Sequence, residues 1–265
     1  MKRRLLPILM TLVLVCALPI WAAFVTSGDV TNPLVCTAGA SPPPEPVAVS
    51  NAADLQNSIA DGKSVKLTDN ITITSTLEIA RSLTLDLNGH VLKMTGDGSV
   101  LKVSGRATLT IQDSSAAKSG TITGGNAEDG DGGGVCVEAY ATLEMTGGCI
   151  TGCRAEDGGG VYIDNNATLK MTGGCITDCH ASYGGGIYSY GNLYMGGTAK
   201  IEKCTSNGGS YDAIWNKGGD MYADGGTVDG TVNNQGTIRL SEGAAAETVF
   251  NGTAVSYTHL TLPTI

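Results

Sequence analysis

Gly132–Asp157 reads GGGVCVEAYATLEMTGGCITGCRAED, and Gly158–Tyr183 reads GGGVYIDNNATLKMTGGCITDCHASY. A third copy opens with GGGIYSYGNLYM at Gly184 and then degrades. A period of this length marks stacked supersecondary units, each too small to bury its own apolar face. Within the second copy, Val161-Tyr162-Ile163 alternates, Asn165-Asn166 turns, Ala167 to Met171 alternates again, and Gly173-Gly174 turns before Cys175-Ile176-Thr177. Three short strands with period-two alternation and Asn or Gly at the corners describe one rung of a β-solenoid. Asp178 to Gly186 is expected to be a polar, glycine-rich return loop. The alternation predicts Val161, Ile163, Ala167, Leu169, Met171 and Ile176 inside, with Val135, Val137, Ala141, Leu143, Met145 and Ile150 as their counterparts.

The pattern extends both ways, and downstream Ala213-Ile214-Trp215, Asp220-Met221-Tyr222 and Thr237-Ile238-Arg239-Leu240 read as shorter coils. Ala107 to Ile111 matches the ATLxM strand, and Gly120 to Gly124 matches the GCIT segment. Upstream, Leu83 to Leu87 and Val91 to Met94 flank an Asn88-Gly89-His90 corner. Leu55 and Ile59 share one face of a short helix opened by Ser50-Asn51, with Gly62 beyond its end. A solenoid exposes its core at each end, so this helix is expected to be a cap.

The remaining segments are of other kinds. Lys2, Arg3 and Arg4 precede an uncharged, mostly apolar run, so residues 1–27 read as a signal peptide or signal-anchor. The prolines from Pro33 to Pro46 make residues 28–48 an extended linker. The β-helix is expected over 49–253. Val255–Thr264, VSYTHLTLPT, resembles the in-frame translation of a sequencing-library adapter, and residues 254–265 are set aside as a non-native tail that interrupts a longer protein.

The chain of 265 residues carries a net charge of −9, which becomes −12 without the three basic residues of the N-terminal segment. Such a surface disfavours nucleic acid and anionic membranes, leaving membrane contact to the signal segment. The expected location is secreted or on the cell surface.

The LDLNGH corner, the GGGVY and GGGIY openings and the GG-I-T-xC endings resemble right-handed parallel β-helix proteins of the pectate-lyase-like superfamily, nearest to adhesin-like bacterial surface repeats. The resemblance covers about Val65 to Asn251. It implies an all-β, right-handed parallel β-helix and says little of activity, because lyases, glycosidases and non-catalytic rods share that fold.

Lyase chemistry needs acidic cation ligands beside a base. Asp157, Asp164, Asp178, Arg154 and Lys170 do not converge in this register. Nor are paired aspartates on consecutive strands expected, as a polygalacturonase-like site would need. His90 falls on a corner, and His180 is expected to be solvated in a loop. The Glu128 to Gly132 segment lacks the nine-residue period of calcium-binding glycine repeats and reads as a return loop.

Cys149 and Cys153 recur as Cys175 and Cys179, with Cys204 as a third member. The first reading of this ladder is small buried apolar residues. Disulfides are the second and a four-thiolate zinc site the third. Tyr162 and Tyr188 occupy matching outward positions, followed by Tyr190 and Tyr194. These four are the candidate ligand-binding residues, since exposed aromatic rings stack on sugars or on a protein partner. The competing reading is that the rings merely cover a sheet face.

The expected function is therefore a non-catalytic, adhesin-like β-helix binding a glycan or a host or cell-surface protein along its side wall, with no cofactor. A polysaccharide-active enzyme, above all a lyase, is the alternative. A spacer for a missing C-terminal module is another.

Overall fold

The computed structural model describes residues 44–207, 212–240 and 249–251. The signal segment, most of the linker and the adapter-like tail lie outside the described residues. Among them is one nine-residue helix, Ala52–Ala60, and every other regular element is a strand. No described helix is long and apolar enough to cross a membrane.

All strand pairs are parallel, and the strands form four walls. One coil shows how they connect. Val161–Ile163 lies in the third wall, Thr168–Met171 in the first, Cys175–Thr177 in the second and His180–Tyr183 in the fourth. The chain then re-enters the third wall at Ile187–Ser189, directly against Val161–Ile163. The walls hold nine, eight, seven and four described strands, from first to fourth. The architecture is a right-handed parallel β-solenoid with a coil spacing near 26 residues.

The repeat dictates the register. Leu143 lies opposite Leu169 and Leu169 opposite Leu193, with Met145, Met171 and Met195 beside them. Ile122, Ile150, Ile176 and Ile201 form the matching column of the second wall. All twelve residues predicted inside are at most 1% exposed. Stacking places each side chain against an identical neighbour, and each buried side chain contributes about 2 kcal/mol of transfer free energy.

The fourth wall corrects the expected return loops. Asn126–Asp131, Arg154–Asp157, His180–Tyr183 and Thr205–Ser206 are strands, with Ala127, Ala155, Ala181 and Ser206 turned inward. The chain enters this wall at Gly152, Asp178 and Lys203, whose φ values are 64°, 54° and 54°. It leaves through the glycine triplets. A Cβ on Gly159 would fall onto the carbonyl oxygens of His180 and Gly185, so only glycine lets the coils approach this closely.

The upper coils close differently. Asp86 and Asp113 are 3% exposed, yet ionised groups are expected there because backbone donors surround them. Asp113 accepts from the Gly89, Ser115 and Gly120 N–H groups at 2.8, 3.0 and 2.7 Å. Asp86 accepts from Asn88 and Ser114 N–H at 3.0 and 2.9 Å. Burial works to raise both carboxyls, but these hydrogen bonds outweigh it and hold them below the usual range. The Asn88-Gly89-His90 corner is thus fixed by carboxylates that serve the fold.

The helix caps the N-terminal end as expected. The Asn51 side chain accepts from Asp54 N–H at 3.0 Å, and Leu55 and Ile59 are buried. The linker ends sooner than expected, because Val47–Val49 pairs with Val65–Leu67 as the first strand of the first wall.

Candidate functional site

Residues facing outward also stack in columns, and two columns hold aromatic rings. On the third wall the column runs Glu78, Lys102, Cys136, Tyr162, Tyr188, Trp215. On the first wall it runs Glu144, Lys170, Tyr194, Tyr222, Arg239. The four tyrosines singled out from the sequence therefore divide: Tyr162 and Tyr188 belong to the third wall, Tyr190 to the bend that follows its strand, and Tyr194 to the first wall.

The third-wall rings are packed against one another. Tyr162 and Tyr188 stack with centroids 5.9 Å apart and planes 8° apart. Tyr190 lies edge-on to both, and the Tyr188 hydroxyl donates to that of Tyr190 at 3.4 Å. Tyr183 of the fourth wall meets Trp215 edge-on at 5.0 Å. Tyr188 is left 6% exposed, so its ring offers little surface to a ligand. Tyr162 and Tyr190 cover it.

Carboxylates border this column. Asp131 and Asp157 lie opposite each other on consecutive fourth-wall strands, a pairing the sequence reading did not expect. Burial, then the charges of Asp131 and Glu156, push the Asp157 carboxyl up to about 6, and its Oδ1 is buried without a hydrogen-bond partner. Asp164 stands on the other side. Asp131, Asp164, Cys136, Tyr162 and the Lys102–Glu138 ion pair (2.7 Å) line a notch of about 320 Å³. Burial raises the Cys136 thiol to about 12, so it stays protonated. Asp178, Arg154 and Lys170 lie at a corner, on the fourth wall and on the first, so the lyase-type set does not converge. His180 is not a loop residue: its Nδ1 is 3.0 Å from Thr205 Oγ1 and its Nε2 3.2 Å from Asn207 Oδ1.

The first-wall column is open. Tyr194 and Tyr222 stack at 4.8 Å with planes 4° apart, and the Arg239 guanidinium lies over Tyr222 at 5.6 Å from its centroid. Tyr194 is 39% exposed. Lys170 and Arg239, both exposed, flank the pair from the strands on either side. Together with Met171, Met195 and Asp224 these residues line a groove of about 370 Å³. The nearby Asp220 carboxylate accepts from the Tyr222 hydroxyl at 3.0 Å and lies 3.9 Å from Arg239. This surface presents apolar ring area between two cations, over a floor of buried methionines. The sequence places Tyr222 and Arg239 in shorter coils without marking them as site residues, because their copies are degraded; the signal that finds them is register with Lys170 and Tyr194.

The cysteine ladder also divides. Cys149 and Cys175 face outward on the second wall and form a disulfide, with Cα atoms 4.5 Å apart. For this pair the second reading replaces the first. Cys153, Cys179 and Cys204 are buried thiols, as first read. Among the described residues, no group of three or more His, Cys, Asp or Glu side chains is placed to hold a metal ion.

Comparison of the chain with protein-family models, with curated proteins and with solved structures finds no match.

Proposed function

We propose that this chain is a secreted or cell-surface, adhesin-like β-helix that binds a glycan along its first wall without turning it over. The observation that carries this reading is the open Tyr194–Tyr222 stack between Lys170 and Arg239. Aromatic rings offer apolar area to the C–H faces of a sugar. The two cations favour a sugar bearing a carboxylate or a sulfate, and they stand out on a chain of net charge −9. Asp224 and the engaged Asp220 do not make a free acid–base pair on this wall. Export rests on the apolar N-terminal segment, and the superfamily assignment rests on the LDLNGH and GGG-V/I motifs. The test is a glycan array probed with the wild type and with Tyr194→Ala/Tyr222→Ala. Binding by the wild type, lost in the variant, supports the reading; wild-type silence on acidic and neutral glycans alike contradicts it.

A hydrolase is the second reading, favoured by the Asp131–Asp157 pairing. A carboxyl titrating near 6 is suited to protonate a leaving oxygen. Polysaccharide cleavage lost in Asp157→Asn would support this reading, and no cleavage by the wild type would end it.

A further inference from the structure

We propose that Cys179 is the shared partner in a second disulfide, made alternatively with Cys153 on one neighbouring coil or with Cys204 on the other. Arg154 lies opposite His180 and His180 opposite Thr205. The same ladder continues one residue back, since His180 N–H donates to the Cys153 carbonyl and Thr205 N–H to the Cys179 carbonyl, both at 2.9 Å. The three cysteines thus occupy one position on successive coils. All three are buried among the core residues as free thiols, at 0%, 1% and 0% exposure.

The molecule already bridges such a pair. Cys149 and Cys175 are likewise opposite each other on adjacent coils, and their Cα separation falls in the range a disulfide spans. Cys153–Cys179 and Cys179–Cys204 share that parallel, one-coil relation. Cys153 and Cys204 do not: two strand spacings put them about 9.6 Å apart, beyond bridging distance. The ladder therefore holds one bond at a time and always leaves one thiol.

The chemistry balances with a disulfide donor such as oxidised glutathione. Two cysteine thiols give up two electrons and two protons, and the donor leaves as two molecules of reduced glutathione. The bond can then move. The Cys204 thiolate attacks the Cys179 sulfur of a Cys153–Cys179 bond, the Cys179–Cys204 bond forms, and Cys153 leaves as the thiolate and takes up the proton that Cys204 lost. Since the sulfurs are sealed in the core, the first bond is expected to form during oxidative folding.

The test is refolding of the reduced full-length chain in a glutathione redox buffer, followed by alkylation and non-reducing peptide mapping with fragmentation. The wild type should show Cys149–Cys175 plus one bond at Cys179, shared between two partners, with one of the three ladder thiols alkylated. Cys153→Ser should give only Cys179–Cys204, and Cys204→Ser only Cys153–Cys179. Cys179→Ser should leave Cys153 and Cys204 both alkylated. Full alkylation of all three in the wild type, or a Cys153–Cys204 bond, would overturn the proposal. The wild-type map decides even if a variant fails to fold.

Discussion

The outward columns of the first and third walls obey one register rule and end in different surfaces. On the third wall, Tyr162 and Tyr188 stack, Tyr190 closes in edge-on, Tyr183 packs on Trp215 of the same column, and Tyr188 is sealed. On the first wall, Tyr194 and Tyr222 stack more closely, yet Tyr194 stays exposed and cations stand at both ends. The fourth wall is the difference. It leads directly into the third wall and brings Tyr183, Asp131 and Asp157 to that edge, whereas the first wall is entered from the Asn165-Asn166 turn. Stacking on a solenoid therefore specifies which side chains meet; adjoining strands decide whether a ligand can reach them.

The comparison can be broken most violently from inside. Leu169 is fully buried between Leu143 and Leu193, behind both columns. Leu169→Ala should cost about 3 kcal/mol, read as a lower midpoint in urea unfolding. A loss below about 1 kcal/mol would mean that the coils are not packed as described.

The next effect separates the walls. Tyr188→Ala removes a sealed ring and should cost about 2 kcal/mol, whereas Tyr194→Ala should stay within about 0.5 kcal/mol. Equal losses in parallel thermal melts would erase the distinction between structural and accessible rings.

A smaller effect sharpens the third wall through pH. The Asp157 carboxyl is raised to about 6 in the fold from an ordinary 3.8. Its contribution is fully present below the unfolded value and is lost as pH rises through the folded one. Asp157→Asn should thus gain on the wild type between pH 4 and pH 7, reaching about 1 kcal/mol because solvent screens the half-buried group. A difference that stays flat with pH would contradict the burial and charge crowding assigned to it.

Much of this was legible in the repeat, and the failures have physical causes. Three walls follow from Val161 to Thr177, where alternation is long enough to show. The fourth was hidden because Arg154–Asp157 and His180–Tyr183 each bury a single alanine among polar residues. Cys149 and Cys153 looked like one ladder, but the left-handed Gly152 between them turns the chain, so one faces out and the other in. Tyr188 shows that period-two alternation gives a direction and not a degree of cover. Tyr222 and Arg239 lie where the repeat has decayed, and only pairing with Tyr194 brings them to the groove.

The most direct measurement is the affinity of an array-selected glycan for three proteins under one condition: wild type, Tyr194→Ala/Tyr222→Ala and Tyr162→Ala. The account predicts that the first-wall double variant loses at least tenfold, about 1.4 kcal/mol, while keeping its melting temperature. Tyr162→Ala should bind within twofold of the wild type despite a lower melting temperature. Binding that survives the first-wall change and fails with Tyr162→Ala would move the site to the third wall and contradict the account.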